Sequence, residues 1–127
     1  MAKILLIDDS KFQRKNVSRL LTGMGHEVSE AENGEIGLQT VETFKPDLII
    51  TDLLMPVLDG LSVLRSLKKR GCKTPAIVVS ADIQESTRQE CLQLGAKAFL
   101  TKPVNTADIE TAISKFVTSS RGEKSRC

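Results

Sequence analysis

Five times along the chain a short β-branched or leucine-rich run is followed by a longer stretch in which apolar residues recur at helical spacing. This alternation of periods predicts an α/β fold built on a parallel sheet. The strands are expected at Lys3 to Ile7, Glu27 to Ala31, Asp47 to Thr51, Ala76 to Val79 and Lys97 to Leu100. The first, third and fourth are almost continuously apolar, as strands covered on both faces must be. The second mixes Val28 with Ser29 and Glu30 and therefore belongs at an edge.

Five helices are expected between and after these strands. Val17, Leu20, Leu21 and Met24 line one face of the first, and Ile109, Ala112, Ile113, Phe116 and Val117 line one face of the last. Ser10 and Asn105 stand where an N-cap oxygen is needed, and Gly25, Gly71 and Gly95 follow the ends of the first, third and fourth helices. Gly37 falls inside the second helix, where glycine costs about 1 kcal/mol relative to alanine. The fourth, Gln84 to Leu94, has the weakest apolar stripe. From Thr118 to Cys127 the chain turns polar and is expected to be a disordered tail, which leaves residues 1–117 as one domain. Five βα units with a polar edge strand fit a doubly wound sheet of order 2-1-3-4-5, because right-handed crossovers set the first and third strands side by side. Strand order reverses between those two, so a ligand crevice is expected at their carboxyl ends.

Composition narrows the function classes. A chain of 127 residues builds one core. A net charge of +2, with no Trp and no Tyr, offers neither a nucleic-acid surface nor an anionic-membrane surface. No apolar run approaches the roughly 20 residues of a membrane span, and no signal peptide follows Met1, so a cytoplasmic location is expected. Cys72, Cys91 and Cys127 are odd in number and lack metal-ligand spacing, which suits three free thiols in a reducing compartment.

The chemistry concentrates at the strand ends. Asp8 and Asp9 follow the first strand and Asp52 the third, so three carboxylates converge on the expected crevice. Two such charges roughly 4 Å apart repel by about 4 kcal/mol at an effective dielectric of about 20, so the cluster must bind a cation or partly protonate. The only histidine, His26, precedes the edge strand; oxygen ligands alone favour Mg²⁺ or Mn²⁺ over zinc. Each acid also has a plainer reading, Asp8 and Asp9 as complements to a helix dipole and Asp52 as a turn residue. Ser80 and Lys102, after the fourth and fifth strands, reach the same edge. Singly they read as an N-cap and a surface lysine. Together they supply the hydroxyl and positive charge that a phosphoryl group in transfer needs. Asp52 can then serve as nucleophile, because carboxylates accept phosphoryl groups as acyl phosphates.

Asp8-Asp9, the run Asp52-Leu53-Leu54-Met55-Pro56-Val57-Leu58-Asp59-Gly60, Ser80-Ala81, Gly95-Ala96 and Lys102-Pro103 together resemble the response-regulator receiver family. The resemblance covers residues 2 to about 117 and is to the single-domain, CheY-like chemotaxis members. It implies a flavodoxin-like fold with Asp52 as phosphoacceptor. It also implies Mg²⁺ bound by Asp9, Asp52 and the backbone carbonyl of Leu54, with Asp8 acting through water. Lys102 is implied to contact a phosphoryl oxygen, and the Lys102-Pro103 bond to be cis. The implied partners are a sensor histidine kinase or histidine-phosphotransfer protein as donor and a downstream protein target, the chain acting as a monomer or a phosphorylation-dependent dimer. The implied switch has Ser80 move toward the phosphoryl group and Phe99 swing inward, remodelling the face of the fourth helix, fifth strand and fifth helix. Phe12 and Arg14, beside the acids, are candidate contacts for the donor. Leu54 and Asp82 depart from the commonest chemotaxis pattern and bear on the lifetime of the phosphorylated state, since Leu54 cannot hydrogen-bond an attacking water.

Rival classes fit less well. An aspartate-nucleophile phosphatase carries a second Asp where Leu54 stands, a flavodoxin needs a phosphate-cradling loop and stacking aromatics, and no Walker-type glycine loop is present. A signalling module rather than a turnover enzyme is expected. The alternative is one of context, a receiver cut from a larger regulator or hybrid kinase, with residues 118–127 beginning a linker. Arg121, Lys124 and Arg126 in that stretch read as solvated residues rather than as a nucleic-acid or membrane contact.

Overall fold

Strands and helices alternate strictly in the computed structural model, which describes residues 2–82 and 84–120. In order they are β1 (Lys3–Ile7), α1 (Lys11–Gly23), β2 (Glu27–Ala31), α2 (Gly34–Phe44), β3 (Leu48–Asp52), α3 (Gly60–Lys69), β4 (Ala76–Ser80), α4 (Glu85–Gln93), β5 (Ala98–Thr101) and α5 (Thr106–Ser120). All pairings are parallel and the sheet order is β2-β1-β3-β4-β5, so the polar second strand is an edge as its pattern required. β1 and β2 have the expected bounds. β3 and β5 lie one residue later than their patterns suggested, and β4 is one residue longer. The reason is pairing: the ladder continues through Asp52 opposite Val79 and Ser80 opposite Thr101. Asp47 is instead drawn out of β3, its carboxylate accepting the Lys3 N–H at 2.9 Å. Asp52 and Ser80 are therefore the last residues of central strands, held by the sheet rather than by loops.

Successive side chains along a strand face opposite ways, and both layers here are apolar. Leu5, Ile7, Ile49 and Val78 pack beneath α2, α3 and α4 with Leu38, Val41, Val63, Leu67 and Cys91. Ile4, Leu6, Leu48, Ile50 and Ile77 pack beneath α1 and α5 with Leu21, Ile109, Ile113 and Val117. The stripe of α5 is buried as expected, but on α1 only Leu21 is fully covered, and Leu20 remains 36% exposed. The cause is a cavity of about 390 Å³ between α1 and α5, which Val17 and Leu20 line with Leu6, Ile50 and Ile109.

The caps follow the expected residues. Ser10 Oγ accepts the Gln13 N–H, Asn105 Oδ1 accepts the Asp108 N–H, and Gly25, Gly71 and Gly95 adopt positive φ beyond their helices. α5 runs through Ser120, so the polar tail expected from Thr118 begins inside a helix. The rest of that stretch, with Arg121, Lys124, Arg126 and Cys127, lies outside the described residues. Cys91 is a free, buried thiol, but Cys72 is disulfide-bonded, which corrects the expectation of three free thiols. Sequence spacing carried no sign of this, because Cys72 sits partly exposed in the turn between α3 and β4, where proximity is set by the fold.

Gly37 is explained by close approach. A Cβ there would meet Ile7, with Cγ1 only 2.8 Å away, and Ile7 is fully buried and cannot yield. Gly37→Ala is therefore expected to lose stability despite alanine's better helix propensity, by a net of about 1 to 2 kcal/mol. Denaturant titration followed by far-ultraviolet circular dichroism measures it, and a more stable variant would contradict the close approach.

His26 ties the chain start to β2, its Nδ1 accepting the Ala2 N–H at 3.0 Å. Partial burial holds its pKa below the ordinary histidine value of 6.5. The unfolded chain therefore binds more protons in the window just below that value, and stability rises with pH across it. The contribution is complete above about pH 6.5 and is lost as pH falls. Denaturation midpoints from about pH 5 to 7.5 should slope less for His26→Gln, which keeps an acceptor without titrating; equal slopes would remove His26 from the acid sensitivity.

Candidate functional site

The reversal of strand order between β1 and β3 brings Asp8, Asp9 and Asp52 to one edge, with a carboxylate oxygen of each within 4.8 Å of the others. Asp8 is held tightly just past β1. Its N–H donates to the Ala31 carbonyl at 3.0 Å, its Oδ1 accepts the Ser10 N–H at 2.9 Å, and its carbonyl accepts from Arg14 Nη1 at 2.7 Å. An acid serving only the helix dipole would lie in solvent, yet Asp8 is buried. That burial foremost, with the Asp52 and Asp9 charges, pushes its carboxyl above the usual carboxylate range, against the opposing Ser10 N–H and Lys102. Asp9 is exposed at the rim.

Asp52, also buried, accepts the Leu53 N–H on Oδ1 at 2.8 Å and Lys102 Nζ on Oδ2 at 3.0 Å. Lys102 leaves β5 with its N–H donating to the Ser80 carbonyl at 2.9 Å and its bond to Pro103 cis, as the resemblance implied. Its ammonium lies 2.7 Å from Gln13 Oε1 and 3.9 Å from Asp8 Oδ2. One cation thus lies within 4 Å of two of the three carboxylates. Ser80 is buried at the end of β4 and caps no helix; its Oγ accepts the Asp82 N–H at 3.0 Å. Asp82 turns its carboxylate to the start of α4, accepting from the Gln84 N–H and Thr87 Oγ1, each at 2.9 Å. It supplies the cap that Gln84 lacks.

Between β3 and α3 the chain closes over the site. Gly60 is required there: its N–H donates to the Leu53 carbonyl at 2.8 Å, and a Cβ would stand 2.9 Å from Leu53 Cα. Asp59 caps α3 through the Ser62 N–H. Leu54 points outward, 72% exposed. Val57 adopts φ 71° inside a turn closed from the Leu58 N–H to the Pro56 carbonyl, a strained conformation for a β-branched residue. Phe12 is 76% exposed beside the acids, more open than a partly buried residue, whereas Arg14 is mostly covered and reaches Glu30 at 3.0 Å as well as Asp8. Phe99 is half-buried against the layer beneath α3 and α4, opposite Val78 and so on the face of the sheet that Ser80 shares. The residue that sequence reasoning missed is Gln13. Its only sequence signal is a place in the first turn of α1, three residues past the Ser10 cap.

The chain as a whole is similar to known proteins. A family model described as the response regulator receiver domain matches residues 4–114. The chemotaxis protein CheY of Bacillus subtilis is 35% identical over 114 residues, which are 89% of this chain and 95% of that protein. A protein-glutamate methylesterase/protein-glutamine glutaminase of Treponema denticola is 33% identical over 124 residues, and the chain spans only 33% of its length. Among solved structures, a response regulator receiver domain protein from Clostridium thermocellum superposes with a TM-score of 0.89 at 31% identity, covering 95% of this chain and 98% of that one. With its sheet order, its acid crevice and its lysine all accounted for in these terms, the chain belongs to the response regulator receiver domain family.

Proposed function

We propose that this receiver domain is a Mg²⁺-dependent phosphorelay switch in which Asp52 accepts a phosphoryl group from a sensor histidine kinase or histidine-phosphotransfer protein. The observation that carries the reading is a buried aspartate whose Oδ2 lies 3.0 Å from a lysine ammonium inside a cluster of three carboxylates. In the transfer an Asp52 carboxylate oxygen forms the bond to phosphorus as the donor's P–N bond breaks, its electron pair staying on the imidazole nitrogen. Lys102 follows the negative charge from Asp52 onto a phosphoryl oxygen.

The donor set fits a hard divalent ion: hard oxygen ligands, an excess of negative charge, and an Asp8 carboxyl pushed upward by burial and by the neighbouring Asp52 and Asp9 charges. Asp9, Asp52 and the Leu54 backbone carbonyl would hold Mg²⁺, or Mn²⁺, with Asp8 acting through water. The ion's chemistry is neutralisation of charge on the phosphoryl oxygens.

Ser80 and Phe99 form the switch in this reading. Supporting it is the hydrogen bond from the Asp82 N–H to Ser80 Oγ, since Asp82 also holds the first turn of α4. Motion of Ser80 toward a phosphoryl group loosens that link, and Phe99 takes up the space beside it, so the α4, β5 and α5 face meets a downstream protein in a new shape. The domain works in the cytoplasm as a signalling module without turnover of its own, as a monomer or a phosphorylation-dependent dimer. Phe12 is the exposed member of the candidate donor contacts; Arg14 acts by bracing Asp8. A second reading draws on the methylesterase relatives, of which the chain matches about a third: the same receiver working within a longer protein that carries a separate output domain.

Intact-mass spectrometry after mixing with acetyl phosphate tests the reading. One phosphoryl mass is expected, requiring both Mg²⁺ and Asp52 and absent from Asp52→Asn; an adduct that survives that substitution would place the acceptor elsewhere. Leu54, exposed and without a hydrogen-bonding group, leaves an attacking water unheld. Leu54→Asn is expected to speed loss of the phosphoryl group about threefold or more. An unchanged decay would remove Leu54, and with it the tuning role given to that position.

A further inference from the structure

We propose that Gln13 is a positioning residue that holds the Lys102 ammonium at the mouth of the crevice and so sets how fast Asp52 is phosphorylated; the proposal rests on Asp52 being the acceptor. The ammonium has three donors, and its shortest contact is to a neutral amide. Gln13 Oε1 lies at 2.7 Å, Asp52 Oδ2 at 3.0 Å, and Asp8 Oδ2 at 3.9 Å, beyond hydrogen-bond reach. Coulomb attraction alone would draw the cation inward among the carboxylates. There it would crowd the acid cluster beyond the one contact it already makes with Asp52 Oδ2. Gln13 opposes that pull from outside. It does so from a fixed place, because its own N–H is anchored on Ser10 Oγ at 3.3 Å, directly after the acid pair.

The bond also spans the fold. It joins the first turn of α1 to the loop between β5 and α5, residues 89 apart in sequence, across the mouth of the cavity between α1 and α5. Gln13, Asp52 and Lys102 all line that cavity. An amide oxygen suits the task. It satisfies one ammonium proton without adding a fourth negative charge, so Lys102 remains free to exchange Asp52 for a phosphoryl oxygen.

The test uses acetyl phosphate at saturating Mg²⁺, where the Asp52 O–P bond forms and the P–O bond to acetate breaks with its electron pair leaving on acetate. Gln13→Leu, which removes the acceptor at nearly constant size, is expected to slow adduct formation by about three- to tenfold. In a Lys102→Met background the same change should add nothing, because the effect passes through Lys102. The ¹⁵N resonance of the Lys102 ammonium supplies a readout independent of phosphorylation: slow proton exchange in the wild type, lost in Gln13→Leu and kept in Gln13→Glu. A Gln13→Leu protein with wild-type rate, an undiminished slowing in the Lys102→Met background, or an unaltered ammonium resonance each overturns the proposal. If the wild type takes up no phosphoryl group at all, the reading of Asp52 fails instead, and the ammonium resonance alone still decides the contact.

Discussion

Everything in this domain turns on keeping three like charges together. Asp8, Asp9 and Asp52 bring carboxylate oxygens within 4.8 Å of one another, an arrangement worth several kcal/mol of repulsion before any ligand arrives. The strands enforce it. Asp52 is locked by the β3 to β4 ladder, and Asp8 by its N–H on the Ala31 carbonyl of the neighbouring strand and by the Arg14 guanidinium on its own carbonyl. Two apolar layers hold the sheet from both faces, so the repulsion is met by the core. Lys102 offsets only part of it.

Much of this was legible in the chain itself. The alternation of periods fixed the class, the polar β2 fixed an edge, and order reversal between β1 and β3 put the crevice where Asp8, Asp9 and Asp52 meet. Strand ends slipped by one residue because pairing, which sequence does not display, decides where a ladder stops. Gly37 read as a defect in a helix and proved to be a contact with Ile7, since a pattern of apolar positions says nothing of how near a helix lies to its sheet. Leu20 read as core and proved open, for the same reason: α1 and α5 leave a cavity between them.

The site was less legible than the fold where polar side chains act on one another at long range. Asp82 read as a departure from the commonest chemotaxis pattern; its N–H donates to Ser80 Oγ, while its carboxylate oxygens serve α4. Arg14 read as a candidate contact for the donor, and the fold also sets it to brace Asp8 and Glu30. Gln13 gave no signal beyond its place in the first turn, because an uncharged residue there looks like solvent-facing filler until Lys102 arrives from 89 residues away. Charged and turn-forming residues announce themselves in sequence; neutral hydrogen-bonding partners do not.

The five helices are fastened to the sheet very unequally. α2 lies flush against β1 through Gly37, and α3 presents Val63, Leu64 and Leu67 to the core. α4 buries one side chain, Cys91, in its last turn, and its first turn takes a hydrogen bond from outside, from Thr87 Oγ1 to Asp82. A helix with a single buried side chain can pivot without opening the layer beneath it, so its rotation costs little apolar burial. A hydrogen bond made or broken at Ser80 is small beside the stability of the whole domain, yet it is of the right size to tilt such a pivot.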